Sequence, residues 1–346
     1  MLSFTSLMSS STTTRSTRPM QTRARRMESR GLQVLLAILF GSTLVGSTLG
    51  AGRAGATPIS DFNLIAFGNL EGTSEVEGRA AIQGNVSTGS TNYVTRAAGL
   101  SSPVSTNGLG VLDGLIIGGN VTGNPINVNN GANTRIGGTT GAIINSNGGG
   151  SVTENDAGVA DIFADINFAV QSAETFFGSQ TVNSTIDLSD GNRVVFDSNP
   201  VGGISVFQAS SIDLFMRNGQ FDLVGDLSAD LFLIQVTGSN DISTSGLNPN
   251  SFEFNDDAFQ SRIVFFFEDA DENTDLQFNG GLGGSILARL ADLEVTTSLE
   301  GTVIVNDITL NGEIHLPTAS VPIPEPSAAL LIGFGLMVMW LRQERA

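Results

Sequence analysis

Cysteine and lysine are absent from the 346 residues, and histidine occurs once. Without cysteine there are no structural disulfides and no thiolate metal sites. That absence does not assign the chain to the cytosol, because an exported repeat protein can draw its stability from rung-on-rung packing. A single His315 excludes a histidine dyad and, by count, a histidine-based zinc site, so a structural hydrogen bond at the last rung is its expected role. Gly280 to Gly284 lead into an apolar run with no lysine or helix behind them, which excludes a phosphate loop. Residues 57–320 hold 7 Arg against 31 Asp and Glu, a net of −24. Such a surface repels nucleic acid and anionic lipid, stays soluble and attracts cations. Acids for glycoside cleavage are plentiful but form no constellation, and no catalytic residue is assigned.

Glycine, at 42 residues, is abundant. From Phe278 to Leu316, turn glycines separate short runs of alternating or β-branched residues: Ser285 to Leu287, Leu293 to Thr297, Thr302 to Val305 and Asp307 to Leu310. This pattern predicts stacked short strands, with Ile286, Val295, Ile304 and Ile308 sharing one apolar column at the C-terminal end of a solenoid. Ala80 to Gly89 is echoed by Gly114 to Gly123, with G-N-V-[ST]-x-G in common, and more weakly by Thr134 to Gly138. The 35-residue offset fits one or two coils, and each repeat needs a neighbour to bury its apolar side. Gly-Asn steps suit the sharp corners.

One long helix interrupts the strands. From Ala157 to Phe177 the apolar residues recur at three-and-four spacing, with Asp156 as N-cap and Gly178 as stop. Phe163, Ile166, Val170 and Phe177 should pack along the solenoid. A helix flanking a β-solenoid is also the layout of bacterial ice-binding adhesins, a likeness of layout alone. Strand-like runs resume at Ser184 to Leu188, Arg193 to Phe196, Gly203 to Phe207, Ser211 to Phe215, Gln220 to Val224, Ala229 to Val236 and Arg262 to Phe267. The phenylalanines of the last run belong in the core.

The densest acidic cluster is Glu268 to Asp275. Asp269, Asp271, Asn273 and Asp275 have the alternate-residue spacing of a calcium loop, but Thr274 replaces the bend glycine and Gly280 the closing glutamate. A solvated loop between strands is the reading these departures favour; a weak surface calcium site is the other.

Both ends read as addresses. Residues 1–56 carry an arginine-rich leader, an apolar run from Val34 to Leu49 and an A-x-A site at Ala54 and Ala56, which predicts a Sec signal peptide. Met27 would give a conventional start. Residues 321–346 contain Pro324, Glu325 and Pro326, then a short apolar helix over 328–341, then Arg342 and Arg345. That helix spans only about 21 Å, which suits a transient membrane stage with the basic end left in the cytoplasm.

These segments carry two resemblances. Phe62 to Val86, with its Glu77 to Arg79 turn, together with G-S-I-L-A-R, L-E-G-T-V-I-V-N-D-I and G-E-I-H near the end, is similar to the choice-of-anchor A domain of bacterial surface proteins. The tail resembles a PEP-CTERM sorting signal. The resemblances imply exosortase processing near Pro324 to Pro326 and release to, or attachment at, the surface of a Gram-negative bacterium. The expected architecture is mainly β: a right-handed β-solenoid over residues 57–320 with one flanking helix, a signal helix before it and a membrane helix after it. Its expected work is non-enzymatic, adhesive or structural, with exopolysaccharide or other matrix components as partners. A carbohydrate-active enzyme on the same scaffold is the runner-up. Ice binding would need a flat face of regularly spaced threonines, and the threonines here are scattered.

Overall fold

A computed structural model describes residues 58–100, 104–215, 219–239, 241–244, 254 and 256–320. All fall within one unit, Ala51–Ala346. Ala54 and Ala56, expected at a signal-cleavage site, and Pro324, Glu325, Pro326, Arg342 and Arg345, expected in a sorting signal, lie outside the described residues. Among the described residues no helix is long and apolar enough to cross a membrane.

Three-residue strands joined by glycine and asparagine corners wind into coils, and each coil gives one strand to each of three parallel sheets. Sheet A has ten strands, sheets B and C seven each. Several strands of sheets B and C bury their outer positions and present the central one, as in Val86–Thr88 and Ile126–Val128, whereas sheet A strands such as Leu64–Ala66 and Ala80–Ile82 are buried throughout. Inward residues from all three sheets form one apolar core. The fold is therefore the expected β-solenoid. The G-N-V echo marks adjacent coils, since Val86 pairs with Val121 and Ile82 with Ile117.

The chain does not run from one end of the stack to the other. Its first coil begins in the middle: Leu64–Ala66 pairs with Ala80–Ile82 on one side and with Val303–Val305 on the other. The first half climbs outward to Val152–Thr153, and the helix Gly158–Gly178 then crosses back over sheet A. The second half begins at Ile204–Ser210 on the far edge and returns inward. Residues 278–316 thus close the centre of the stack, and their reading as its C-terminal end is corrected. Local pattern reports strands but not which end of a stack they occupy.

The single-column reading of that stretch is corrected too. Ile286 faces the core, Ile304 on the same sheet faces the helix, and Val295 and Ile308 belong to sheet B. One full coil carries the chain from Ile286 to its sheet A partner Val303, so the shorter spacings cross from sheet to sheet.

What selects sheet A for the helix is its apolar outward face. Ile116, Ala81, Ile65, Ile304, Leu287, Val264, Leu233 and Val206 lie on eight successive strands and pack with Val159, Ile162, Phe163, Ile166, Val170, Ala173 and Phe177. Twenty-one helical residues reach about 31 Å, close to the ~34 Å of seven strand spacings. The helix thus holds both halves. Phe265 and Phe267 turn inward while Phe266 meets the helix, so burial on both sides explains the unbroken Phe run.

The far end departs from the coil pattern. Thr185–Asp187, Arg193–Ser198 and Gln220–Gly225 form a separate sheet, its first pair antiparallel. Ser211–Phe215, expected as a strand, is a short helix. The Ser210 hydroxyl accepts the Asp213 N–H and donates to the Asp213 carboxylate, a local cap that outcompetes extension.

Candidate functional site: two polar faces and a seam

Sheets B and C keep polar residues at the positions where sheet A is apolar. Registers place Ser243, Gln277, Glu294, Thr309, Glu71, Ser87 and Thr122 in one outward column across all seven strands of sheet B. Neighbours in such a column are about 4.8 Å apart. Ser243 bonds Gln277, and Gln277 bonds Glu294. On sheet C the matching column is Asn145, Asn127 and Asn92, followed by Glu75. The Asn145 amide donates to Asn127 and the Asn127 amide to Asn92, each at 3.0 Å, so much of this face is occupied with itself.

The corner before sheet B is built from Asp and Asn. Backbone N–H groups of Asp307, Asn69, Asn85, Asn120 and Thr139 each donate to the side-chain oxygen one coil earlier, on Asp292, Asp307, Asn69, Asn85 and Asn120. This ladder holds the spacing of the sheet B column. Part of its signal was visible as recurring Gly-Asn steps, but its partners lie in different coils.

First and last coils meet at a polar seam. Buried Asn63 donates to Gly301 O and to His315 O, and accepts the Gly78 N–H at 3.0 Å. Glu77 accepts the Leu316 N–H at 3.0 Å and pairs with Arg96 at 2.8 Å. Arg79 is wholly buried and donates to the carbonyls of Leu100, Val111 and Asp113, pinning the excursion between two coils. Its burial pulls the guanidinium below its ordinary pKa. The Glu77 to Arg79 turn is therefore a closure element.

His315 does make structural hydrogen bonds: Nδ1 lies 2.8 Å from Glu300 Oε1 and Nε2 lies 2.7 Å from Glu313 Oε2. Burial lowers its pKa, but these two bonds outweigh that and raise it above the usual value. Glu75 is pushed up by burial and by Glu313 and Glu77 beside it. Ligand atoms of Glu75, Glu77 and His315 all lie within 4.8 Å of one another. A count of histidines does not address a mixed set, and one imidazole with two carboxylates has the donor types such a set needs. Nothing in the sequence placed residues 75 and 315 side by side.

The acidic loop lies between strands of sheets A and B, as the solvated-loop reading has it. Asp269 accepts the Gly238 N–H, Asp271 accepts from Asn273 N and Thr274 Oγ1, and the Asp275 N–H donates to Asp241. Asp269, Asp271 and Asp275 do not share one focus of the kind found at His315. Beneath the helix, Ile59, Phe177, Val264, Leu287 and Ile304 line a cavity of about 10 Å³, room for about one water molecule and too small for a small-molecule ligand, and these residues include no acid or base.

A rigid parallel solenoid with one face capped by a helix and two faces offering repeated polar columns defines a surface-presenting scaffold. The chain belongs to the ice-binding-like adhesive domain family, whose model matches residues 55–316. Among solved structures it is similar to an ice-binding protein from the Antarctic ascomycete Antarctomyces psychrotrophicus, at 13% identity and a TM-score of 0.31, covering 77% of this chain and 98% of that one. It is also similar to an ice-binding protein from an Antarctic biological consortium, at 15% identity and a TM-score of 0.32, covering 77% and 92%. At that level of superposition neither carries an inference for this chain. No curated protein matches it.

Proposed function

We propose that this is an exported, non-enzymatic surface adhesin that lays an extended polar polymer, of polysaccharide type, along sheet B. The observation that supports this is one run within the column. Thr309, Glu71, Ser87 and Thr122 stand on four adjacent strands and make no side-chain hydrogen bonds among the described residues, so their donors and acceptors face outward unspent. A flat array with such a repeat suits a chain molecule better than a compact substrate. In this reading the tail, residues 321–346, passes through the inner membrane to an exosortase, which releases the domain to the surface or biofilm matrix of a Gram-negative bacterium.

The test combines matrix-polysaccharide arrays with cell fractionation. Binding by the purified protein should fall about tenfold or more in Glu71→Lys with Ser87→Tyr, and should persist in Asn127→Ser on sheet C. The reading fails if the sheet B variant binds like the parent. Deleting the tail from Val321 onward should abolish the membrane-bound stage in fractionated cells. Ice binding is the second reading, favoured by the family's description and opposed by the carboxylates of Glu71 and Glu294 within the sheet B column. It predicts thermal hysteresis, which the polysaccharide reading does not. The carbohydrate-active enzyme predicts new reducing or unsaturated sugar ends on incubation with the bound polymer, and none are expected.

A further inference from the structure

We propose that Glu75, Glu77 and His315 bind one divalent transition-metal ion that ties the first coil of the solenoid to the last. Val76 pairs with Ile314 and both point into the core. Strand alternation therefore turns Glu75 and Glu77 outward on one strand and Glu313 and His315 outward on the next. The three ligand atoms, all within 4.8 Å of one another, need only a modest side-chain adjustment to reach the ~3.4 Å separation of two ligands on a tetrahedral ion. Four carboxylates meet here, those of Glu75, Glu77, Glu300 and Glu313, against the cationic groups of Arg96 and His315. Glu77 is 6% exposed and already oriented by Arg96 and the Leu316 N–H. Glu75 makes no side-chain hydrogen bond among the described residues and stands beside two like charges, the position a cation would relieve.

The imidazole distinguishes this site from an ordinary acidic surface. Calcium and magnesium take all-oxygen sets, whereas one nitrogen with two or three carboxylate oxygens suits zinc and its neighbours. In the structure both ring nitrogens face carboxylates, which requires both N–H groups. Metal binding takes one nitrogen and releases one proton to solvent. The other N–H stays on Glu300 or Glu313, the outer-shell bond that usually orients a metal-bound histidine. The ligands come from opposite ends of the domain's sequence but from neighbouring strands, so the ion would cross-link the one place where successive coils are not joined covalently.

The experiment is zinc titration of the metal-stripped protein by calorimetry, paired with thermal unfolding. One Zn²⁺ per chain and a rise in Tm with added zinc are expected. His315→Gln and Glu75→Gln should each weaken binding by about tenfold or more, while Asp271→Asn in the acidic loop leaves it unchanged. Glu75→Gln removes no hydrogen bond seen here, so its result stands even where His315→Gln perturbs the seam. Excess calcium should not displace zinc. Absence of stoichiometric binding, affinity unchanged in Glu75→Gln, or ready displacement by calcium would each overturn the assignment.

Discussion

At the scale of residues, the corner ladder shows how a short polar side chain specifies a solenoid. Asn85 accepts the Asn120 N–H at 2.9 Å and donates its own N–H to Asn69 Oδ1 at 2.9 Å. Each bond replaces water on a backbone group that the sharp corner leaves without a sheet partner. Asn85→Ala strands the Asn120 N–H at an exposed corner where water can return, so the expected loss is about 0.5–1.5 kcal/mol, measured by chemical unfolding. A loss near zero would show that the ladder follows the fold without stabilising it. Glycine acts beside it: a Cβ on Gly72, whose φ is +135°, would lie 2.0 Å from Leu310 O across the seam. Turn propensity made these residues visible in the sequence. The G-N-V echo already set Asn85 against Asn120, 35 residues apart, whereas the pairing of Asn69 with Asp307, 238 residues apart, left no local signal.

At the scale of elements, the long helix is the part that sequence pattern described best. The expected span, Ala157 to Phe177, differs by one residue at each end from the observed Gly158–Gly178, and all seven apolar positions are buried. The N-cap position falls on Ala157, which makes no side-chain cap bond, and not on Asp156 as expected; Asp156 supports the helix start from one residue earlier. Asp156 Oδ1 accepts the Gly158 N–H, while Oδ2 takes a charge-assisted bond from Arg135 at 2.6 Å. Arg135 also reaches Asp113, so the helix start is tied to the outer coils. The bond from Arg135 holds the Asp156 carboxyl below its ordinary pKa. A depressed carboxyl contributes stability that is present above its unfolded pKa and lost as pH falls through its folded value. Stability should therefore decline below about pH 4, and Asp156→Asn should flatten that decline while lowering stability at pH 7. Urea midpoints across that range check the sign. An acid decline of equal steepness in the variant would assign it to other carboxylates.

At the scale of the whole molecule, the seam decides whether two half-stacks behave as one body. First and last coils pair in all three sheets, and the helix lies over both halves. Asn63 is the buried polar centre of that junction, with bonds to Gly301, His315 and Gly78. Asn63→Ala leaves the Gly301 carbonyl and the Gly78 N–H without a partner in the interior, while His315 O keeps the Gly301 N–H, at a cost of about 3 kcal/mol, or roughly 6–12 °C in Tm for a body of this size. Calorimetry should show one cooperative transition for the parent. If the halves were independent, the parent would already melt in two steps and the variant would shift only one of them. The absence of disulfides fits this arrangement, since burial between neighbouring coils and beneath the helix supplies the cohesion.

Local periodicity determined much by itself. Alternation marked most strands, three-and-four spacing marked the helix, and glycine with asparagine marked the corners, because each of these signals lies within a few residues. The charge balance likewise bore on partners before any coil was placed. Only the tertiary structure decided that the chain starts mid-stack, that Ile304 faces the helix while Ile286 faces the core, and that His315 stands beside Glu75 and Glu77. The physical reason is that a solenoid strand pairs with whatever coil is stacked next to it. Where the stack closes on its own beginning, Leu64 finds its neighbour in Val303, at the other end of the domain's sequence and beyond the reach of any local pattern.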